Sequence, residues 1–353
     1  MSTRLDQFAR RAGEWLRGNG PESEIVISTR IRLARNLTGF PFLTRADSDT
    51  RAEIVAASRA AIQHTPLLRD CEDVDVAALD ELDRKLLVER QLISRQHAEG
   101  NGARRVIFDE GESVSLMLNE EDHLRMQVIR SGLQLQQAWE QISAIDDAIE
   151  ERLEFAFHPQ YGYLTACPTN VGTGLRVSVM LHLPALKLTN ELERVGHLAK
   201  ERKLAIRGLF GEGTEALGDF FQISNQLTLG RSEAELIDDF ARNVIPNVVE
   251  AERAARGTLL KGRAAALDDK VFRAMGALQN ARLISSNEAM QCLSHVRMGL
   301  HVGRLSNIDL QTVNELFLQA QPAHLQKLQG ERLNGEQRGL VRAALIRSRL
   351  SRN

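Results

Sequence analysis

Between Glu24 and about Gly230 the chain repeatedly alternates apolar and polar side chains with the period of an extended strand, and such segments can bury one face only by pairing into a sheet. In EIVISTRIRL, the residues Ile25, Ile27, Thr29, Ile31 and Leu33 point one way, while Val26, Ser28, Arg30 and Arg32 point the other. In ESVSLMLNEEDHLRMQV, Val114, Leu116 and Leu118 share a face; if the backbone stays extended, Met117, Asn119, Glu121, His123 and Arg125 share the opposite one. In RVSVMLHLP, Val177, Val179, Leu181 and Leu183 form the apolar side, Arg176, Ser178, Met180 and His182 look away, and Pro184 ends the strand because it cannot donate to a ladder. A single strand arginine is ordinarily a solvated residue. Arginine on the non-core face of three strands predicts a basic floor for something anionic.

Helical spacing separates these strands. Residues 48–64 read as a helix with Ser48 or Asp49 as N-cap, residues 133–157 as a long amphipathic helix, and 186–203 as another. The arrangement is α+β, an antiparallel or mixed sheet with helices on one side. Beyond Arg256 the alternation stops, glycines thin out and helical periodicity takes over, with Ser286 and Ser306 as N-cap candidates. This predicts two units, 1–255 with the sheet and an all-helical 256–353 whose plain role is packing or dimerisation.

Composition narrows the function. The 45 basic and 47 acidic residues leave a net charge of -2, which argues against a nucleic-acid binder acting through bulk charge. No apolar run reaches membrane-spanning length, and the first residues lack the apolar stretch of a signal peptide. Cys71, Cys167 and Cys292 lie far apart, which disfavours structural zinc and a disulfide framework and points to the reducing cytoplasm.

No GxxxxGK[ST] phosphate loop is present; a nucleotide would need another cradle, and permanently charged arginine forks are the substitute. The run NEEDH, Asn119 to His123, reads on pattern alone as a turn or solvated edge. Its functional reading places Glu121 on the arginine-bearing face as a base or a clamp for a cation, with Glu212 and Glu215 of the loop GEGTE completing it. Cys167 in TACPTNVGTGLR is by default a small buried hydrophobe, although nearby arginines would favour its thiolate.

STRIRLARN, MLNEEDHLR, CPTNVGTGLR and RGLFGEG…FQISNQLTLG occur in this order between Ser28 and Gly230. Together they resemble the signature blocks of the phosphagen (guanidino) kinase family, and within it the bacterial protein-arginine kinases. Only 27 residues precede STRIR, where metabolic members carry a helical domain, and the tail after Arg256 resembles the bacterial dimerisation domain. The resemblance implies a glutamine synthetase-like sheet flanked by helices, with ATP and Mg2+ as cofactors. It places Ser28, Thr29, Arg30, Ile31, Arg32, Arg125, Arg176, Val177, Ser178, Val179, Met180, Arg207, Gly208, Leu209, Phe210, Gly211 and Glu212 at nucleotide-binding positions. It also makes Glu121 and Glu212 the guanidinium-holding carboxylates and Cys167 the active-site cysteine. Two departures stand out. Gln91 occupies a position where relatives often carry histidine, and Gly339 in RGLVRA replaces the aspartate of an RDxxRA phosphoarginine pocket.

The chemistry suits these residue types. A guanidinium with a pKa above about 12 is no nucleophile until a proton leaves, and two carboxylates can fix its plane and accept that proton. The arginines neutralise the triphosphate, and glycines around Glu212 would let that loop close over the reaction. The expected activity is phosphorylation of arginine side chains in proteins, with a heat-shock repressor, an activator protein and a Clp unfoldase as implied partners and a homodimer as the implied assembly. The alternatives are a metabolic guanidino kinase acting on free arginine, and a catalytically inactive adaptor.

Overall fold

In the computed structural model, which describes residues 2–208 and 217–351, the alternating segments pair into a sheet. In chain order the strands are β1 (Val26–Arg35), β2 (Glu72–Asp75), β3 (Arg105–Phe108), β4 (Val114–Leu118), β5 (Leu124–Ser131), β6 (Phe157–His158), β7 (Gly162–Tyr163), β8 (Leu175–His182), β9 (Leu204–Gly208) and β10 (Phe220–Asn225). Among the described residues the main sheet has eight strands in the order β2-β3-β4-β5-β1-β8-β10-β9, and β6 and β7 form a separate hairpin. Every pairing is antiparallel. The sheet is therefore antiparallel rather than mixed.

β1 is central, paired with β5 and β8, and its register fixes the basic face. Arg32 stands opposite Gln127 on one side and Arg176 on the other. Like charges directly opposite destabilise a sheet, so this pairing needs a compensating reason. The other face carries Ile31, Leu33, Val177 and Val179, all fully buried. Against this core packs the helix Leu135–Glu150, burying Leu135, Ala138, Ile142, Ile145 and Ile149 at helical spacing.

At the end of β1 the chain commits a buried ion pair. Arg35, 2% exposed, donates from Nη2 to Asp146 Oδ2 at 2.6 Å and from Nη1 to the carbonyls of Ala34 and Thr173 at 3.0 and 2.9 Å. Its guanidinium also lies 3.5 Å from the Tyr163 ring centroid. This ties β1 to the helix and to the β6–β7 hairpin.

After β10 the chain is helical, with main helices Ile245–Gly262, Ala264–Asn280, Ser286–His301, Leu310–Gln319, Pro322–Gln329 and Gly335–Leu350. It is joined to the sheet by buried polar contacts. Arg297 donates to the Ser23 and Glu24 carbonyls and lies 2.9 Å from His182 Nδ1, while Ser294 bridges His182 and Asp219.

Several local expectations change. The first long helix is capped by Asp47, whose carboxylate accepts from Thr50 N at 2.8 Å, because the cap precedes the helix by one residue. Ser285 and Asp309, not Ser286 and Ser306, cap the helices Ser286–His301 and Leu310–Gln319. The stretch read as 133–157 is helical over Leu135–Glu150. The stretch 186–203 is two helices, Pro184–Leu188 and Leu192–Glu201, interrupted where Asn190 takes a φ of 58°.

Removing Asp146 would leave a buried guanidinium without its counter-ion. Asp146→Ala should lower stability by about 3 kcal/mol, read as an earlier midpoint in urea unfolding followed by circular dichroism.

Candidate functional site

The sheet face opposite the helix Leu135–Glu150 opens into a cleft of about 490 Å³ whose lining includes six arginines and two glutamates. β1 supplies Arg30 and Arg32, β5 supplies Arg125, β8 supplies Arg176, β9 supplies Arg207, and the helix Arg95–Glu99 adds Arg95. Strand alternation delivers them: residues two apart on one strand share a face, and neighbouring strands keep that face in register.

The positive charges are crowded and largely removed from water. Arg30 donates to Gln91 Oε1 at 3.0 Å and Gln222 Oε1 at 2.5 Å, and burial, then Arg125, Arg176 and Arg207, pull its pKa down to about 10. Arg32 is depressed further by burial and by Arg30, Arg125 and Arg176. Its Nε and Nη2 are buried and find no hydrogen-bond partner among the described residues. Buried donors without partners are rare, and two on one cation amid like charges mark a place for an anion. Arg176 donates to Asn170 Oδ1 at 3.2 Å.

The acidic wall comes from a turn. Residues 119–123 do not stay extended; they form a tight connection between β4 and β5, with Asn119 at a φ of 60° and its N–H donating to the His123 carbonyl at 2.9 Å. Alternation therefore does not place Glu121; the turn does. Glu120 is buried, accepts from Arg125 Nη1 at 2.7 Å and bonds Ser94. Burial opposes its ionisation, but Arg125 and the hydrogen bonds win and lower its pKa. Glu121 behaves oppositely: burial first, then Asp122 and Glu120, raise its pKa against the pull of Arg125 and Arg176. Asp122 accepts from Asn36 Nδ2 and Ala166 N, both at 2.6 Å, pinning the turn to neighbouring loops. His123 accepts the Leu37 N–H on Nδ1 at 3.0 Å, which leaves Nε2 to donate to the Pro41 carbonyl at 3.0 Å. It is a neutral strut, and burial lowers its pKa accordingly.

Of the residues singled out in the sequence, Arg30, Arg32, Glu121, Arg125, Cys167, Arg176 and Arg207 line this one cleft. Cys167 sits with Sγ 3.1 Å from Thr169 Oγ1. Ser28, Ser178 and Met180 line a narrow recess beside Arg30. Thr29, Ile31, Val177 and Val179 are buried away from the cleft, Thr29 bonding the Gly132 carbonyl at 2.8 Å, since alternate residues of a strand face apart. Gly208 ends β9. Leu209, Phe210, Gly211, Glu212 and Glu215 lie outside the described residues.

Sequence reasoning missed Glu120, Gln222, Arg95 and Asn170. Gln222 was within reach, because on β10 it lies opposite Met180 and shares the face of Ser224 and Phe220. Gln91 has more than a substitute's role. At a φ of 64° it turns its side chain to Arg30 and its carbonyl to Gln127 Nε2 at 2.6 Å. The residues before it are held by the helical region. Glu89 accepts the Ala323 and His324 N–H groups at 2.8 and 3.0 Å and lies 2.7 Å from His324 Nδ1; Arg90 meets His324 Nε2 at 3.1 Å and is ion-paired to buried Glu112 at 2.5 Å.

Residues 53–255 match the ATP:guanido phosphotransferase C-terminal catalytic domain, and residues 264–353 match the protein-arginine kinase McsB C-terminal domain. The chain is 48% identical to the protein-arginine kinase of Symbiobacterium thermophilum over 97% of this chain and 98% of that one. It is 45% identical to that of Geobacillus stearothermophilus over 97% and 95%. Among solved structures it resembles the duplicated taurocyamine kinase of Schistosoma mansoni with bound transition state analog components, with a TM-score of 0.61 and 26% identity. That match covers 67% of this chain and 34% of the duplicated one, so the chain spans about a third of that relative. Lombricine kinase shares the fold with a TM-score of 0.59 at 24% identity, over 70% and 71% of the two chains.

Two outcomes follow from the electrostatics. Arg32→Met removes a repelled, unpartnered cation, so the ligand-free protein should melt no lower than wild type, while calorimetric affinity for a nucleoside triphosphate falls by roughly 10- to 100-fold, the worth of one charged hydrogen-bonding group. Glu89→Ala frees the support of Gln91 and should weaken that affinity by about tenfold, or about 1.4 kcal/mol, without touching the cleft directly.

Proposed function

From the premise that this chain belongs to the ATP:guanido phosphotransferase family and is a protein-arginine kinase, we propose that the arginine cleft holds the triphosphate of ATP while Glu121 receives the guanidinium of a protein arginine. The carrying observation is Arg32, a buried cation whose Nε and Nη2 lack partners among the described residues. A phosphate oxygen satisfies those donors and relieves the repulsion from Arg30, Arg125 and Arg176. Magnesium, brought in with the nucleotide, would supply further neutralisation of the transferring group.

The acceptor side follows from the turn. Glu120 is already committed to Arg125, so Glu121 is the carboxylate left to face a substrate cation. Its raised pKa makes it a stronger proton acceptor than an ordinary glutamate. In the reaction the bond from γ-phosphorus to the β-bridging oxygen breaks, a P–N bond to arginine forms, the lost N–H proton passes to Glu121, and ADP leaves. The strand-borne arginines hold their places before substrate arrives, so charge on the moving phosphoryl meets fixed cations. Cys167 borders the same space and offers a polarisable contact to the guanidinium. Glu212 enters this scheme as the second carboxylate on sequence resemblance alone. Marking proteins for Clp-type degradation, control of a heat-shock repressor, response to an activator and a dimer formed through the helical region complete the reading, in the cytoplasm.

Two measurements test it. Magnesium-ATP offered with an unfolded protein or with free arginine, followed by mass spectrometry at neutral pH, should give an acid-labile phosphate on protein arginines. Transfer to free arginine alone would make it a metabolic kinase, and no transfer to either would make it an adaptor. Separately, kcat/KM should fall as pH drops through a pKa above 4.5, the ordinary glutamate value, because protonated Glu121 cannot accept the guanidinium proton. Glu121→Gln should cost roughly 10²–10⁴-fold in kcat and abolish that acid limb; retention of the limb removes Glu121 from the role.

A further inference from the structure

Beside the cleft runs a second and larger concavity, about 1080 Å³, between residues 36–45 and residues 150–164. Nothing in the phosphoryl-transfer scheme uses it. Its rims carry Phe42 and Phe157, 37% and 57% exposed, an unusual exposure for phenylalanine. Phe157 also borders the adjoining hollow, which adds Tyr161 and Leu229, so the apolar surface continues past the groove. Contiguous exposed apolar surface with polar edges marks interaction sites.

The groove is built from the same loops that brace the acceptor end of the cleft. Asn36, on its wall, bonds both Asp122 and the Leu164 carbonyl, and Leu37 and Pro41 hold His123. Leu164 lines the groove and Cys167 lines the cleft, three residues apart and so within about 10 Å. A polypeptide lying in the groove would thus pass close to the turn that carries Glu121.

Charge narrows the occupant. Glu150, Glu151 and Glu154 line one wall and make no ion pair among the described residues. They stand at or just beyond the C-terminal end of the helix Leu135–Glu150, where the backbone dipole adds negative potential. Arg45 and Arg152 temper this without cancelling it. A surface that combines exposed phenylalanines with an acidic wall suits an extended segment rich in apolar and basic residues. Such a segment is exposed in an unfolded protein and hidden in a folded one.

Resting on the kinase reading above, we propose that this groove seats the polypeptide flanking the acceptor arginine, and so selects unfolded, arginine-bearing protein over small guanidino compounds. A cleft that recognised only the guanidinium would not discriminate between the two. The groove supplies the discrimination by gripping the chain on which the arginine is carried, at a surface free of any part in phosphoryl transfer.

The test compares two acceptors at saturating magnesium-ATP: casein as an unfolded protein, and N-acetyl-arginine amide as a small compound. Phe42→Ser and Phe157→Ser replace exposed side chains, so folding should be unaffected. The expected result is a fall of at least tenfold in kcat/KM for casein in the double variant, with the KM for ATP and the rate on the small acceptor unchanged. Glu150→Lys combined with Glu154→Lys should act in the same direction. Equal losses on both acceptors, or none on either, overturn the groove while leaving the kinase reading intact. Wild-type protein that phosphorylates neither acceptor overturns the kinase reading and this one with it. Light scattering covers the remaining occupant: should the double variant dissociate an oligomer yet phosphorylate casein normally, the groove seats a second copy and the proposal falls.

Discussion

The structure depends on holding like charges together. Arg30, Arg32, Arg125 and Arg176 share one sheet face, with Arg32 and Arg176 directly opposite in the β1–β8 ladder. No local preference favours this, and burial makes it worse by withdrawing solvent screening. The sheet tolerates it because the reverse face of the same strands is a continuous apolar core, where Ile31, Leu33, Val177 and Val179 are fully buried. Period-two alternation makes the two faces inseparable: a slip of one residue in β1 would turn the arginines into the apolar core and the core residues into the cleft. Hydrophobic packing thus fixes the position of the cations.

Neutral and acidic partners divide the remaining work. Gln91 and Gln222 accept from Arg30 without cancelling its charge, while Glu120 cancels that of Arg125. Arg32 alone keeps two donors unsatisfied among the described residues. The result is graded: scaffold cations are anchored, and one is left poised for ligand. Adjacent glutamates are split in the same way, Glu120 drawn down by its arginine and Glu121 pushed up by its neighbours. One turn thus holds two neighbouring carboxyls in opposite electrostatic surroundings.

Much of this was legible in the sequence, for a specific reason. Strand periodicity is local, so the faces of β1 and β8, and with them Arg30, Arg32 and Arg176, follow from counting by twos. Turn chemistry is local too, but NEEDH could be extended or turned, and only the hairpin between β4 and β5 decides which; Asn119 in the left-handed region is the residue that reverses the chain. The buried links between distant segments left no local trace. Asn36 with Asp122, Glu89 with the amides of Ala323 and His324, and Arg297 with the Ser23 carbonyl each join residues far apart in sequence. Helix starts slipped by a residue or more because several capping side chains were available at each one.

The helical region is more than an appended unit, and the chain's two departures from the family pattern read differently once contacts are known. Gln91 stands where relatives often have histidine, yet it is integral: its left-handed backbone, supported through Glu89 and Arg90 by the helix Pro322–Gln329, aims an acceptor at Arg30. A neutral amide there keeps its acceptor character at every pH, whereas an imidazole loses its acceptor nitrogen on protonation. Gly339 has the opposite character. A Cβ there would stand 3.3 Å from Leu283 Cγ, and the neighbouring Arg342 is 3% exposed, donating to the carbonyls of Ala320 and Ile284 at 2.8 and 3.0 Å. That guanidinium satisfies main-chain acceptors and stitches helices together. The same residue type thus serves two ends in this chain: Arg342 meets backbone carbonyls and is structural, whereas Arg32 keeps two buried donors without a partner among the described residues, the feature that marks a candidate anion site.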